Sequence, residues 1–150
     1  GGEMISDVTF EKTTYAELPQ KFEAGTPNVS GAIAFGTAID YLNSIGFDNI
    51  YEYENSLLIY ATEKLKKLQG IKIYGDSIEK TGVISFNIDG IHAYDLGSIL
   101  DKFGIAVRTG QHCAQPVMDF FEIPGTIRVS LAFYNTKEEI DSLDLQILQL

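Results

Sequence analysis

The sequence predicts a small α+β fold in which helices and strands pack in layers. Two observations predict it: the first half of the chain repeats apolar residues at helical spacing, and the second half mixes short alternating strands with helices. The 150 residues are 45% hydrophobic and 21% charged, a composition typical of a folded domain. A chain of this length buries roughly 68–70% of its unfolded surface, so the fold requires neither a disulfide nor a metal ion.

Two helices are predicted in the first half. The first begins with Thr26 as its cap and Pro27 at its first position, and it ends near Gly46. The second begins at Asp48, which can cap it, and Gly70 closes it. The residues before the first helix show no sustained period and predict an extended or looped lead-in. The apolar faces consist of Val29, Ile33, Gly36, Ile39 and Leu42 in the first helix, and of Ile50, Tyr53, Leu57, Ala61, Leu65 and Leu68 in the second.

Strands and helices alternate in the second half. The predicted strands are residues 71–74, 84–88, 105–109 and 127–133; the predicted helices are residues 94–103, a short segment opened by Pro116, and a last helix near the end. Thr136 and Glu139 have the spacing of a capping box, which starts that last helix. Its apolar face consists of Ile140, Leu143, Ile147 and Leu150.

Charge and cysteine content exclude several classes of function. Lys+Arg 11 against Asp+Glu 21 gives a net charge of −10, the wrong sign for a nucleic-acid partner or an anionic membrane. No basic and apolar leader is visible, and the uncharged residues 24–39 are too short and polar to span a bilayer. The single cysteine, Cys113, excludes an internal disulfide and suits a reducing cytoplasm. His92, His112 and Cys113 lack metal-ligand spacing, so no metal is expected.

Cys113 is the strongest candidate for a reactive residue. It lies in the segment RTGQHCAQP, residues 108–116, just before a predicted helix start, where the helix dipole favours a thiolate. Arg108 and a protonated His112 would favour the thiolate as well. The alternative is a buried, inert cysteine, but the polar and cationic neighbours favour a reactive thiol. His92 and His112 are candidate general bases, although His92 precedes its helix and is expected to cap it or lie on the surface.

The two arginines, Arg108 and Arg128, are candidates for binding a carboxylate. Both alternate with apolar residues on predicted strands, so Arg128 points away from the apolar row. A guanidinium matches the two-point geometry of a carboxylate, whereas an exposed salt bridge explains either residue equally well by spacing alone. Thr26 lies where a helix start can bind an anion, although capping alone also explains a threonine there.

Three segments together resemble one enzyme family. RTGQHCAQP, with FEAGTPN at residues 22–28 and IRVSLAFYNTKEEID at residues 127–141, resembles the C-terminal part of SUF-type cysteine desulfurases. These are pyridoxal-phosphate enzymes with the class V aminotransferase fold, and cysteine sulfinate desulfinases and selenocysteine lyases are close relatives. The resemblance implies that residues 1–28 are a remnant of the large cofactor-binding domain. Residues 29–150 would then be linking helices and the C-terminal small domain of a fold-type I enzyme, with a short, mostly antiparallel sheet.

The resemblance also implies a role for each candidate residue. Cys113 stands at the nucleophile that takes sulfur from L-cysteine, giving L-alanine and a persulfide that a SUF-system acceptor protein uses for iron–sulfur cluster assembly. Arg128 matches the arginine that holds the substrate carboxylate, and Arg108 matches one near the same site. Thr26 matches the threonine that reaches the phosphate of pyridoxal 5'-phosphate in the partner subunit of a homodimer. His112 remains a candidate acid or base.

Two departures from the family pattern keep alternatives open. Gln111 stands where SUF-type enzymes commonly have a first histidine, so a selenocysteine lyase or cysteine sulfinate desulfinase stays possible. No lysine lies in the context of the family's Schiff-base lysine, so the chain is expected to be a C-terminal fragment that is inactive alone. A cysteine hydrolase or acyltransferase, and a non-catalytic dimerisation piece, are the alternatives from other classes of protein.

Overall fold

The structure, a computed structural model, describes residues 2–75, 77 and 79–150. The chain divides into two compact units, and the boundary lies between Gly46 and Phe47. This boundary falls within the part of the chain that the sequence assigned to linking helices. Within the described residues, no helix has both the length and the apolar character that crossing a membrane requires.

The first unit begins with an antiparallel hairpin formed by β1 (Ile5–Val8) and β2 (Thr13–Tyr15). Its turn is closed by Thr9, whose N–H donates to the Lys12 carbonyl at 2.8 Å and whose hydroxyl accepts from the Lys12 N–H at 3.0 Å. A single turn of 3-10 helix, Gln20–Phe22, follows. The predicted lead-in is indeed partly extended, but its pairing into a hairpin and the 3-10 turn were not predicted. These strands are short and mostly exposed, so they leave no apolar alternation in the sequence.

Helix α1 (Val29–Ile45) starts later than predicted. Its cap is Asn28, whose Oδ1 accepts a hydrogen bond from the Gly31 N–H at 2.9 Å. Thr26 and Pro27 therefore lie outside the helix, and their predicted roles as cap and first residue were wrong. Threonine and asparagine are both good caps, so composition alone did not distinguish them.

The end of α1 agrees with the sequence. Gly46 has a φ of 91° and its N–H donates to the Leu42 carbonyl at 3.0 Å, so the helix ends at the predicted glycine. No residue of α1 is buried, however, and the predicted apolar face is mostly exposed, with Val29 at 58% and Ile33 at 69%.

The second unit is an α+β domain built on one antiparallel sheet. Its elements in chain order are α2 (Phe47–Leu65), β3 (Ile71–Tyr74), β4 (Val83–Ile88), α3 (Ala93–Lys102), β5 (Arg108–Gly110), α4 (Gln115–Phe121), β6 (Thr126–Ser130) and α5 (Lys137–Leu148). The sheet order is β3-β4-β6-β5, and each neighbouring pair is antiparallel. The predicted fold class is confirmed.

Alternation along the strands places the core on one face of the sheet. Ile84, Phe86 and Ile127 are fully buried, whereas Ser85 and Arg128, which pair across β4 and β6, are only partly buried. Burial of each large apolar side chain contributes roughly 1.5–3 kcal/mol. The helices complete this core with Leu57, Leu58, Ala61 and Leu65 from α2, Ala93, Leu96 and Leu100 from α3, and Ile140, Leu143 and Ile147 from α5. The opposite face of the sheet carries the polar side chains.

Strand β6 is shorter than its apolar pattern predicts. After Ser130 only the Leu131 N–H still bonds to the neighbouring backbone, donating to the Gly82 carbonyl at 2.6 Å. The next two N–H groups bond to side chains: Ala132 donates to Asn135 Oδ1 at 2.8 Å, and Phe133 donates to Glu54 Oε1 at 3.0 Å. The alternation therefore continues beyond the end of the strand, and the predicted end at residue 133 was wrong.

Smaller corrections concern where other elements begin and end. Helix α2 starts at Phe47, which puts Asp48 in the first turn and not at the cap. The Ile105 N–H donates to the carbonyl of Leu100, so the chain after α3 is still part of the helix end and β5 starts later than predicted. Leu150 lies beyond α5 and is 52% exposed.

The predicted capping box of α5 is confirmed. Thr136 Oγ1 accepts from the Glu139 N–H at 3.3 Å, and Glu139 Oε2 accepts from the Thr136 N–H at 3.0 Å. A hydrogen bond from Asn135 and this backbone N–H together hold the pKa of Glu139 below its usual value.

Thr136→Ala is expected to destabilise the protein by about 1 kcal/mol, because it leaves an N–H of the first turn without its acceptor. The change is measured as a lower midpoint of urea unfolding. Thr136→Ser is the matched control, since it keeps the hydroxyl and should unfold near the wild-type midpoint. An unchanged midpoint for Thr136→Ala would mean that the box adds nothing to stability.

Candidate active site around Cys113

The register of β5 and β6 brings the two arginines together. Arg108 and Arg128 are direct partners across this antiparallel pair, on the polar face of the sheet. Like charges directly opposite one another destabilise a sheet. Among the described residues, neither arginine forms an ion pair with a carboxylate, although the chain holds 21 acidic residues, and Arg128 Nε is buried without a partner. The two guanidiniums therefore keep hydrogen-bond donors that no carboxylate of these residues occupies.

Cys113 lies in a tight turn between β5 and α4. The Ala114 N–H donates to the Gln111 carbonyl at 3.0 Å, and the two central residues, His112 and Cys113, have φ values of 56° and 58°. This is the pattern of a type I′ turn, which favours glycine, asparagine and aspartate. For other residues the left-handed conformation costs roughly 1–2 kcal/mol each. The turn is therefore a strained segment that other contacts must hold.

The Cys113 side chain is exposed and lies beside one of the arginines. Arg108 Nη2 donates a long hydrogen bond to Cys113 Sγ at 3.9 Å, so a cation lies next to the sulfur. This exposure contradicts the alternative of a buried, inert cysteine. Helix α4 begins at Gln115 and not at Pro116, but Cys113 still precedes it, as predicted.

His112 is held by the first residue of β6. Its Nε2 lies 2.9 Å from Thr126 Oγ1 and 3.2 Å from the Thr126 carbonyl oxygen. Partial burial, with the positive charges of Arg128 and Arg108, lowers the pKa of His112, and the bond to the Thr126 carbonyl opposes this only in part. His112 is therefore neutral at pH 7, so it does not supply the positive charge that the sequence allowed. It bonds to Thr126 and not to Cys113, unlike the Cys–His pair of a cysteine hydrolase.

Three residues that the sequence did not single out complete the site. Asn87 Nδ2 donates to the Gly125 carbonyl at 2.9 Å, while Asn87 Oδ1 is buried without a partner among the described residues. A Cβ on Gly125 would lie 2.8 Å from the carbonyl carbon of Gly110, so glycine allows this close approach. Thr126 was missed because the predicted strand began one residue later. Extending the alternation by one residue would have placed it on the face of Arg128.

Of the two remaining candidates, His92 precedes α3 in the second unit and Thr26 lies in the first unit. His92 caps α3, where its Nδ1 accepts from the Tyr94 N–H at 3.3 Å, as one of the two sequence hypotheses predicted. Thr26 belongs to the first unit, where it is exposed, and within the described part of that unit its hydroxyl has no hydrogen-bond partner. In the described ranges, no three His, Cys, Asp or Glu side chains lie close enough to hold a metal ion.

Comparison with known proteins identifies the class of protein. The family profile described as Aminotransferase class-V matches residues 1–143, and the chain belongs to this family. The chain is similar to a cysteine desulfurase of Serratia proteamaculans (strain 568), with 52% identity over 144 residues, which is 95% of this chain and 35% of that protein. It is 49% identical over 151 residues to a cysteine desulfurase of Cronobacter sakazakii (strain ATCC BAA-894), covering 100% of this chain and 37% of that protein.

Solved structures agree with this similarity. The apo structure of cysteine desulfurase from Thermococcus onnurineus NA1 matches with a TM-score of 0.84 and 40% identity, over 99% of this chain and 38% of that one. The cysteine desulfurase CsdA from Escherichia coli, in an S-sulfonic acid form, matches with a TM-score of 0.84 and 34% identity, over 99% of this chain and 37% of that one. The chain thus spans about a third of the length of the relatives it matches, and the predicted family is confirmed.

Proposed function

We propose that this chain supplies the sulfur-accepting cysteine and the carboxylate-binding arginines of a pyridoxal-phosphate-dependent cysteine desulfurase. The observation that carries the proposal is the exposed Cys113, held in a strained turn beside Arg108, which is paired across the sheet with Arg128. No carboxylate of the described residues neutralises either arginine. A thiol next to an anion site suits a small substrate that has both a sulfur atom and a carboxylate. L-cysteine is such a substrate, and the relatives named cysteine desulfurase support it.

The arginine pair would bind and orient the amino acid. Arg128 has a buried Nε without a partner and can offer two parallel N–H groups to one carboxylate. Arg108, its cross-strand partner, would share the negative charge, and this removes the repulsion between the two guanidiniums. Substrate binding therefore offsets the repulsion between the two guanidiniums of the free site.

Cys113 would then act as the nucleophile. Its Sγ forms a bond to the substrate sulfur while the bond from that sulfur to carbon breaks, and the carbon takes up a proton to give alanine. The proton count balances, because the thiol of the enzyme becomes a persulfide and cysteine becomes alanine. Bound pyridoxal phosphate supplies the electron sink for breaking the carbon–sulfur bond. The Arg108 contact to Sγ keeps a positive charge beside the developing persulfide.

The first unit fits one part of this cofactor, its phosphate. Thr26 has an exposed hydroxyl that the helix does not use, because Asn28 is the cap. A free hydroxyl beside the N-terminus of a helix is a suitable donor to a phosphate oxygen. We infer that Thr26 holds the phosphate in a homodimer, as the family resemblance implies. No lysine of this chain matches the Schiff-base lysine, so the chain alone is not expected to release sulfide.

The proposal also includes the protein that accepts the sulfur and the cellular compartment of the enzyme. The family resemblance supports transfer of the persulfide sulfur to a SUF-system acceptor protein for iron–sulfur cluster assembly. A reactive thiol and the single cysteine suit the reducing cytoplasm. L-cysteine is preferred to selenocysteine or cysteine sulfinate as the substrate, since the relatives named above are cysteine desulfurases.

The test is product analysis with the full-length enzyme. Incubation with L-cysteine and a reductant should yield alanine and sulfide in equal amounts. Parallel reactions with selenocysteine and cysteine sulfinate rank the substrates, and cysteine should give the highest kcat/KM. If the enzyme forms alanine from none of the three substrates, the proposed function is refuted.

A further inference from the structure

We propose that Thr126 is a positioning residue that holds the Cys113 turn in its reactive conformation through His112. The inference rests on the proposed function, since it concerns how that site is kept in place. Thr126 is 1% exposed, at the start of β6, and its hydroxyl and carbonyl oxygens both face His112 Nε2. Burying a hydroxyl costs free energy unless it forms a hydrogen bond, and the imidazole of His112 is the hydrogen-bond partner here.

Contacts from outside the turn must stabilise it, because its own residues disfavour its backbone conformation. His112 and Cys113 both have positive φ values, and one backbone hydrogen bond, from Ala114 to Gln111, closes the turn from within. Such conformations persist where surrounding contacts fix them. The bond from His112 ties the turn to β6, the strand that carries Arg128 two residues further along. One strand therefore sets the position of both the thiol and the carboxylate-binding group.

The chemistry of the imidazole fits a holding role better than proton transfer. Nε2 is occupied by the two oxygens of Thr126, and Nδ1 is buried without a partner among the described residues. The Thr126 carbonyl can only accept a hydrogen bond, whereas its hydroxyl can accept from Nε2–H or donate to an unprotonated Nε2. Threonine can thus bond to Nε2 in either neutral form, and the form with the proton on Nε2 is favoured because the other would leave a buried Nδ1–H without an acceptor. Valine would keep the carbonyl and the shape but lose this second partner.

Steady-state kinetics of the full-length enzyme with L-cysteine tests the inference. Thr126→Val should lower kcat about five- to tenfold, the loss expected from one neutral hydrogen bond. KM should stay within about twofold, because the arginines that bind the carboxylate are unchanged. Thr126→Ser keeps the hydroxyl and should retain kcat within about twofold of wild type. Thr62→Val is the matched control: it removes another buried hydroxyl, on α2, and should leave kcat unchanged.

A double-mutant cycle with His112→Ala shows whether Thr126 acts through the imidazole. His112→Ala should lower kcat by roughly the same factor, five- to tenfold. Adding Thr126→Val to the His112→Ala enzyme should lower kcat no further. Equal costs of Thr126→Val in both backgrounds, or a folded Thr126→Val enzyme with wild-type kcat, would overturn the inference. A loss of about a hundredfold or more in His112→Ala would assign proton transfer to the histidine instead.

The remaining outcomes also test the inference. If Thr126→Val does not fold, His112→Ala alone is the test, and a wild-type kcat in that variant overturns the inference. A wild-type enzyme that forms no alanine from L-cysteine refutes the proposed function and this inference with it. Normal wild-type activity together with unaffected Thr126→Val and His112→Ala variants refutes the inference alone.

Discussion

Cys113→Ser is expected to abolish sulfide release from L-cysteine in the full-length enzyme. The serine hydroxyl fits the same exposed turn but cannot form the sulfur–sulfur bond that the reaction requires. Removing a nucleophile costs on the order of 10³-fold or more in kcat. The measurement is the initial rate of sulfide formation under saturating L-cysteine.

Cofactor absorbance and thermal stability serve as the controls for this variant. Both should match the wild type, because Cys113 lies on the surface and its change creates no cavity. A Cys113→Ser enzyme that releases sulfide at the wild-type rate would show that another group accepts the sulfur. The assignment of the nucleophile would then be wrong.

Arg128→Lys is expected to lower kcat/KM for L-cysteine although the net charge does not change. A lysine offers a point charge on a differently shaped stem, whereas the guanidinium donates two parallel hydrogen bonds to a carboxylate. One charge-assisted hydrogen bond contributes about 1.5–3 kcal/mol, so its loss costs roughly tenfold or more in kcat/KM. Part of the loss should appear in kcat, because the orientation of the bound amino acid determines the reaction geometry.

The matched control for this prediction is Lys72→Arg on the edge strand β3. It is also a charge-conserving exchange on the sheet, at an exposed residue beside Tyr74, and should leave kcat/KM within about twofold. Melting temperatures of both variants check folding. A folded Arg128→Lys enzyme with wild-type kcat/KM would mean that Arg128 has only a structural role.

Much of the second unit could be predicted because its apolar residues have a clear period. Alternation placed Ile84, Phe86 and Ile127 in the core, and the spacing of Thr136 and Glu139 predicted the start of α5. The hairpin of the first unit could not be predicted in this way. Its strands bury no residue, so nothing in their sequence separates them from a loop.

The site was predictable where it depends on strand alternation. Arg108 and Arg128 were expected on strands, and the register makes them partners. The conformation of the Cys113 turn was not predictable, because positive φ at histidine and cysteine comes from surrounding contacts and not from residue preference. The protonation of His112 likewise depends on burial and on charges that approach it only in the folded chain.

The most direct measurement of the central claim is the mass of the Cys113 peptide after a single turnover. Full-length enzyme is mixed with L-cysteine without reductant, and its thiols are alkylated. The enzyme is then digested, and the masses of the peptides are measured. The account predicts that the alkylated peptide containing Cys113 is heavier by one sulfur atom than the same peptide from enzyme without L-cysteine. Treatment with a reductant before alkylation should remove this sulfur as sulfide. An unmodified Cys113, or an acyl group on its sulfur, after alanine has formed would contradict the account.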